Sequence, residues 1–168
     1  MSRLPGMSTW THVDWTHVDA EPVRIAKALV EDLEASEGLA APLVPSELLN
    51  EFAKHPKCSH WYAGEELLGF GLLRPDGVFR AVLRPEHREM SLFLPMLGWA
   101  ESVRRVDFPD AELQVVAQDD DVCLPFLLLR LDFVAEDEGW TRDDDPRAST
   151  FRIYSGGQVD PEDGAEQA

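Results

Sequence analysis

Residues 59–101 constrain the fold of this chain most strongly, because they combine three short strand-like runs with one long apolar run. The strands are predicted over residues 60–63, 67–73 and 78–83. Turn-forming residues separate them at 64–66 (Gly-Glu-Glu) and 75–77 (Pro-Asp-Gly), which predicts an antiparallel meander. The apolar run after Arg88 predicts a helix. A proline inside a helix costs about 3 kcal/mol or more, so Pro95 favours a helix start near Leu92 to Leu94.

The rest of the chain alternates helical and strand patterns around this segment. Helices are predicted near 21–35, 46–52 and 122–131, and further strands near 112–117, 133–136 and 150–154. The second helix should bury Leu48, Leu49 and Phe52. A duplicated pentapeptide, Trp-Thr-His-Val-Asp at 10–14 and 15–19, supplies the first strand from one of its copies. The element order β-α-α-β-β-β-α-β-α-β-β predicts an α/β (α+β) fold with a central twisted mixed sheet flanked by helices.

Length and charge limit the classes of protein that this chain can belong to. Its 168 residues predict one domain at 10–155, between a flexible N-terminus at 1–9 and a disordered acidic tail at 156–168. A net charge of −17 argues against binding to nucleic acid or anionic membrane and would attract amines. No apolar run is long enough to span a bilayer, and no secretory signal is seen. Two cysteines, Cys58 and Cys123, do not suggest a disulfide scaffold and fit free thiols in a reducing compartment, so a cytoplasmic location is expected.

Strands that run through Leu-Arg-Pro-Glu-His-Arg at 83–88 into a helix resemble the GNAT (GCN5-related N-acetyltransferase) family. The element order is similar from about residue 10 to 155, and Leu131-Asp132-Phe133 stands where the family commonly has Leu-Gly-Phe. In that family an Arg-x-x-Gly-x-Gly/Ala loop binds the pyrophosphate of acetyl-CoA. The resemblance implies the following acetyl-CoA-binding residues: Ala81, Val82, Leu83, Arg88, Glu89, Met90, Ser91, Leu92 and Phe93.

Two residues depart from the family pattern in this loop, and a third adds a charge to it. Ser91 and Phe93 occupy the two glycine positions, and glycine is what lets a backbone approach phosphate closely. Glu89 adds a negative charge, and two like charges about 4 Å apart repel by about 4 kcal/mol at an effective dielectric constant near 20. The loop is either a divergent site that uses Arg84, His87 and Arg88 as charge partners, or a structural junction without its ligand.

No catalytic residue follows from the sequence. The tyrosine that protonates the departing thiolate in many relatives corresponds to Leu128, which has no proton to give. Tyr62 and Tyr154 remain conceivable acids, and His12 or His17 conceivable bases. The spacing of His55, Cys58 and His60 lacks the second ligand pair of a structural zinc site, and the acidic runs 119–121 and 143–145 lack calcium-loop spacing, so no metal is predicted.

Two functions therefore remain open. The resemblance implies transfer of an acetyl group from acetyl-CoA to a primary amine that an acidic cleft orients. The alternative is a degenerate, non-catalytic GNAT-fold domain that binds a protein partner or a small ligand. Such a partner would use the splayed central strands, the apolar helix with Phe93, Met96 and Trp99, or a homodimer interface. An exposed Trp99 would favour a partner surface. A sensor on the same scaffold is a weaker third possibility.

Overall fold

The computed structural model describes residues 10–15, 20–37, 45–118, 121–136, 140–141 and 150–161. The strands are β1 (Thr11–Trp15), β2 (Lys57–Ala63), β3 (Glu66–Leu73), β4 (Val78–Leu83), β5 (Gln114–Gln118), β6 (Val134–Ala135), β7 (Trp140–Thr141) and β8 (Thr150–Ser155). The helices are α1 (Ala20–Glu37), α2 (Pro45–Phe52), α3 (Met90–Asp107) and α4 (Cys123–Arg130), and a 3₁₀ turn, Pro85–His87, precedes α3. No helix among these residues is long and apolar enough to cross a membrane.

The strands form one mixed sheet in the order β1-β2-β3-β4-β5-β8-β6, and β7 pairs with β8. The pairs β1–β2, β2–β3 and β3–β4 are antiparallel, and the turn sequences predicted this for the last two pairs. β4 pairs with β5 in parallel, because α3 crosses over between them. The predicted α+β architecture is confirmed, and β7 is a short strand that the sequence pattern did not predict. The first copy of the pentapeptide supplies β1, while residues 16–19 of the second copy lie outside the described residues.

Helices cover both faces of the sheet. Successive side chains of a strand point to opposite faces, so Phe79, Ala81 and Leu83 of β4 pack in the core cluster that α3 and α4 supply. Val82 packs in the second cluster, with residues of α1 and α2. The C-terminal ends of β4 and β5 therefore pack against α3 and α4.

Two local predictions are wrong. α3 begins at Met90 rather than near Leu92 to Leu94, with Pro95 inside it. Leu92 and Phe93 are each 2% exposed, and burying two such side chains stabilises by about 1.5–3 kcal/mol each, which offsets the cost of the proline. Leu49 is 50% exposed, because an eight-residue helix buries only the stripe that contains Leu48 and Phe52.

The chain continues to pack on the domain after β8, in residues that we assigned by sequence to the tail. Val159 is 7% exposed, and the amide of Gln158 donates to the carbonyl of Leu131 at 2.8 Å. A Cβ on Gly157 would collide with the ring of Phe133, so only glycine permits this close approach. Residues 1–9 and 162–168 lie outside the described residues.

Candidate functional site

The candidate site is the space that opens where β4 and β5 separate. Their parallel ladder pairs Val78, Phe79 and Arg80 of β4 with β5 and stops at the Arg80–Val116 pair. Beyond that pair the two strands no longer form a ladder, and Phe93 of α3 and Leu124 of α4 line the gap between them. We call this space the wedge. It is lined by Ala81 and Leu83 (β4), Val116, Ala117 and Gln118 (β5), Arg88 and Phe93 (before and in α3), and Asp121 and Leu124 (before and in α4).

The wedge is narrow because apolar side chains fill it. Its volume is about 10 Å³, roughly the room that one water molecule needs. Phe93 is 2% exposed and Leu124 is 3% exposed, so neither is a loosely placed surface group. A long ligand arm can enter only if these side chains shift.

The structure brings some of the predicted acetyl-CoA residues together and separates others. Ala81, Leu83, Arg88 and Phe93 line the wedge. Val82 belongs to the core on the opposite face, and Leu92 is buried in the core beneath α3. The remaining three are exposed at the start of α3: Glu89, Met90 and Ser91.

The N-terminus of α3 lies beside the wedge and offers backbone donors. Glu89 caps the helix with an extended backbone, φ −136° and ψ 152°. Its carbonyl already accepts from the amides of Leu92 and Phe93 at 3.1 and 3.0 Å. In the part of the chain that the structure describes, the amides of Met90 and Ser91 donate to no backbone carbonyl. Two amides at the positive end of a helix suit an anionic ligand.

Of the three cations predicted to bind phosphate, one lines the wedge. Arg84 is committed elsewhere: its Nε donates to the carbonyl of Leu67 at 3.0 Å and its Nη1 lies 2.6 Å from Asp32 Oδ2. His87 Nε2 lies 3.6 Å from Glu66 Oε1. Arg88 is the cation at the wedge. Glu66, Glu86 and His87 bring their potential ligand atoms within 4.8 Å of one another, so the turn before α3 also carries negative charge.

The groups near the wedge provide no evident acid or base for catalysis. Leu128 is 0% exposed in the core. Burial, together with Asp121 and Glu89, raises the pKa of the Cys123 thiol, which favours its protonated form. Burial, with the charges of Glu21 and Cys58, raises the pKa of Tyr62, and that residue lies on β2, away from the wedge lining.

Tyr154, the other conceivable acid, is 5% exposed in the core and does not line the wedge either. Among the described wedge residues, only Arg88 and Asp121 are ionisable.

The histidines that the sequence singled out lie at the β1–β2 side of the sheet. His12 stacks on Trp61 with ring centroids 4.5 Å apart, and its Nδ1 lies 2.8 Å from Asp14 Oδ1. His60 is fully buried, and its Nδ1 accepts from Trp15 Nε1 at 2.6 Å. Burial lowers the pKa of His60 to about 4, although the Pro22 backbone and Glu21 oppose the shift, so His60 is neutral and structural. His17, like residues 119–120 and 143–145 of the acidic runs, lies outside the described residues.

Sequence reasoning missed Gln118 as a wedge residue and considered Asp121 only as part of the acidic run 119–121. Gln118 ends β5 and is 5% exposed. Asp121 accepts from the amides of Cys123 and Leu124 at 3.0 and 3.2 Å, and it thereby caps α4. A polar residue directly after an apolar strand was the available signal for Gln118, but such residues usually end a strand without further role.

A larger cavity of about 380 Å³ lies at the opposite end of α3, around Glu101, Arg104 and Arg105. Burial alone would raise the pKa of Glu101, but hydrogen bonds from Arg104 and Arg105 outweigh it and hold the pKa below its usual value. Glu101 forms ion pairs with both arginines. Fewer charged groups are therefore left to bind a ligand than the size of the cavity suggests.

Solved structures of acetyltransferases resemble this fold over nearly its whole length. A GCN5-related N-acetyltransferase from Rhodopseudomonas palustris aligns with a TM-score of 0.60 over 90% of this chain and 98% of its own, at 15% identity. A GNAT-family acetyltransferase from Elizabethkingia anophelis with acetyl-CoA bound aligns with a TM-score of 0.56 over 90% and 100%, at 9% identity. RimL, a ribosomal-protein alpha-N-acetyltransferase in complex with coenzyme A, aligns with a TM-score of 0.58 over 94% and 98%, at 13% identity.

Sequence comparison adds nothing to this likeness. No protein-family model matches the chain, and no curated protein matches it. At 15% identity or less, structural likeness establishes the fold and leaves substrate and activity open. The chain has the fold of the GNAT acetyltransferases, which the order of its strands and helices predicted.

Proposed function

We propose that this chain binds acetyl-CoA in the wedge and transfers the acetyl group to a primary amine. The end of the β4–β5 ladder at the Arg80–Val116 pair carries the proposal. It leaves one edge of each strand without a neighbouring strand, in the middle of an otherwise paired sheet. Backbone groups on such an edge can bind an extended ligand arm by hydrogen bonds.

The residues around the wedge fit acetyl-CoA in part. The amides of Met90 and Ser91, with Arg88 nearby, suit a pyrophosphate. The apolar walls from Ala81 and Leu83 suit the thin arm that connects it to the acyl group. Acetyl-CoA supplies the activated acyl group, and the chain's own residues hold the arm and exclude water. The net charge of −17 would draw a cationic amine toward the protein.

A second candidate is the non-catalytic domain, and the filling of the wedge favours it. A volume of about 10 Å³ leaves no preformed room for an arm, and the buried Leu128 replaces the usual acid. A partner surface on α3 is not supported, because Phe93, Met96 and Trp99 are 2%, 0% and 4% exposed. A partner would instead have to bind elsewhere.

The two candidates differ in affinity and turnover. Calorimetric titration with acetyl-CoA and with free CoA measures binding, and release of free thiol in the presence of a panel of primary amines measures transfer. Binding together with amine-dependent thiol release supports the acetyltransferase. Binding of acetyl-CoA without thiol release in the presence of any amine favours a non-catalytic ligand-binding domain. Absence of binding at millimolar ligand rejects the proposal.

A further inference from the structure

Gln118 lines the wedge and carries an unused side-chain hydrogen-bond donor. The residue is 5% exposed, and its side-chain Nε2 is fully buried without a hydrogen-bond partner in the part of the chain that the structure describes. Nearly all buried polar groups in proteins have a partner, and leaving a donor unpaired lowers stability. A buried donor of this kind can bind a partner, either a ligand or a water molecule.

The backbone around Gln118 holds its side chain in place. Gln118 pairs with Phe151 of β8, which fixes the strand on the side away from the wedge. Its carbonyl accepts from the amide of Asp121 at 3.2 Å. The side-chain amide is thus left over after the backbone has been satisfied, in a residue that shares the wedge lining with Ala81 and Leu83 of β4.

The surroundings select the chemistry of the missing acceptor. Most of the wedge lining is apolar, notably Phe93, Ala117 and Leu124. A phosphate is disfavoured beside Gln118, because the charge of Asp121 lies on the same lining and apolar walls do not stabilise a charge. Arg88, the cation of the wedge, instead precedes the start of α3, where the amides of Met90 and Ser91 suit the pyrophosphate. A neutral carbonyl oxygen on a thin ligand arm meets both conditions. One water molecule is the competing occupant, since the volume of about 10 Å³ admits roughly one.

We infer that the side-chain amide of Gln118 donates a hydrogen bond to a carbonyl oxygen of the acyl-CoA arm, either a pantetheine amide or the thioester. The inference rests on the proposed function. Gln118 is then a positioning residue, which fixes how far the arm enters between β4 and β5. Without the arm its amide destabilises the wedge, and with the arm it contributes to affinity.

The test compares Gln118→Met with the wild-type protein in two measurements. Urea unfolding without ligand reports stability, and calorimetry reports affinity for acetyl-CoA, CoA and S-ethyl-CoA, a thioether without the thioester carbonyl. Met has a similar shape and no donor, so we expect unchanged or higher stability together with affinity reduced roughly two- to tenfold. A loss for all three ligands identifies a pantetheine carbonyl. A loss for acetyl-CoA alone identifies the thioester.

Gln114→Met is the matched control, because Gln114 lies at the other end of β5 and outside the wedge lining. It should leave all three affinities unchanged. If Gln118→Met lowers stability and leaves every affinity unchanged, the amide serves a buried water and the inference is overturned while the proposed function stands. If the wild-type protein binds none of the three ligands, the proposed function fails and this inference fails with it.

Discussion

Replacing Phe93 with alanine should separate the packing of the wedge from its accessibility to ligand. Phe93 is 2% exposed, belongs to the core cluster under α3 and α4, and lines the wedge. Truncating a buried phenylalanine to alanine costs about 3–5 kcal/mol of unfolding free energy, a large share of the roughly 5–15 kcal/mol of a typical domain. The same change removes an aromatic ring from the wall of the wedge, whose volume is about 10 Å³, and so makes room for a ligand. We therefore expect a less stable protein that binds acetyl-CoA more tightly.

Urea unfolding with and without acetyl-CoA measures both effects in one experiment. A ligand present at 100 times its Kd adds about 2.7 kcal/mol to the unfolding free energy, so tighter binding by the variant appears as a larger ligand-induced shift. Phe93→Leu keeps more of the packing and should change both quantities in the same direction by less. It serves as the working variant if Phe93→Ala does not fold.

Met96→Ala is the matched control for this prediction. Met96 lies on the same helix and in the same core cluster, is 0% exposed, and does not line the wedge. Its truncation should cost about 2–5 kcal/mol without any gain in affinity. If the Phe93 variants lose stability but bind acetyl-CoA no better than Met96→Ala, Phe93 does not limit access and the reasoning is refuted.

Three further predictions test the charges and the core. Arg88→Met should weaken acetyl-CoA binding, and more so at low salt, whereas Arg84→Met should lower stability and leave calorimetric affinity unchanged. Leu128→Phe should cost about 1–3 kcal/mol through overpacking, with thiol release per folded molecule unaltered; a selective loss of turnover would contradict this. The pKa of His60 falls from 6.5 to about 4 on folding, so the unfolded chain binds the extra proton. Up to about 3 kcal/mol of stability, present above pH 6.5, should be lost between pH 6.5 and 4, and His60→Gln should reduce that loss in urea titrations.

The sequence was sufficient for features that local patterns determine. β4 was predicted with the bounds that the structure has, Val78–Leu83, because alternation and the preceding turn specify it. Gly77 has φ 88°, which explains the glycine in that turn. The strand and helix order followed from the same kind of local signal.

Long-range packing determined what the sequence did not predict. Burial of Leu92 and Phe93 extends α3 ahead of Pro95, and no local rule includes that contribution. Glu51 of α2, which no pattern singled out, is 6% exposed, with Lys54 Nζ 3.0 Å away and Arg80 Nε of β4 3.7 Å away. The wedge likewise depends on where two strands stop pairing, and a sequence pattern does not give that position.

Chemical-shift mapping of the ¹⁵N-labelled protein with acetyl-CoA tests most directly whether the wedge is the binding site. The account predicts shifts in the backbone amides of residues 81–83 and of Met90 and Ser91, and in the side-chain amide of Gln118. It predicts none around Glu101 and Arg104, where the larger cavity lies. Shifts confined to that cavity, or no shifts at millimolar acetyl-CoA, would contradict the account.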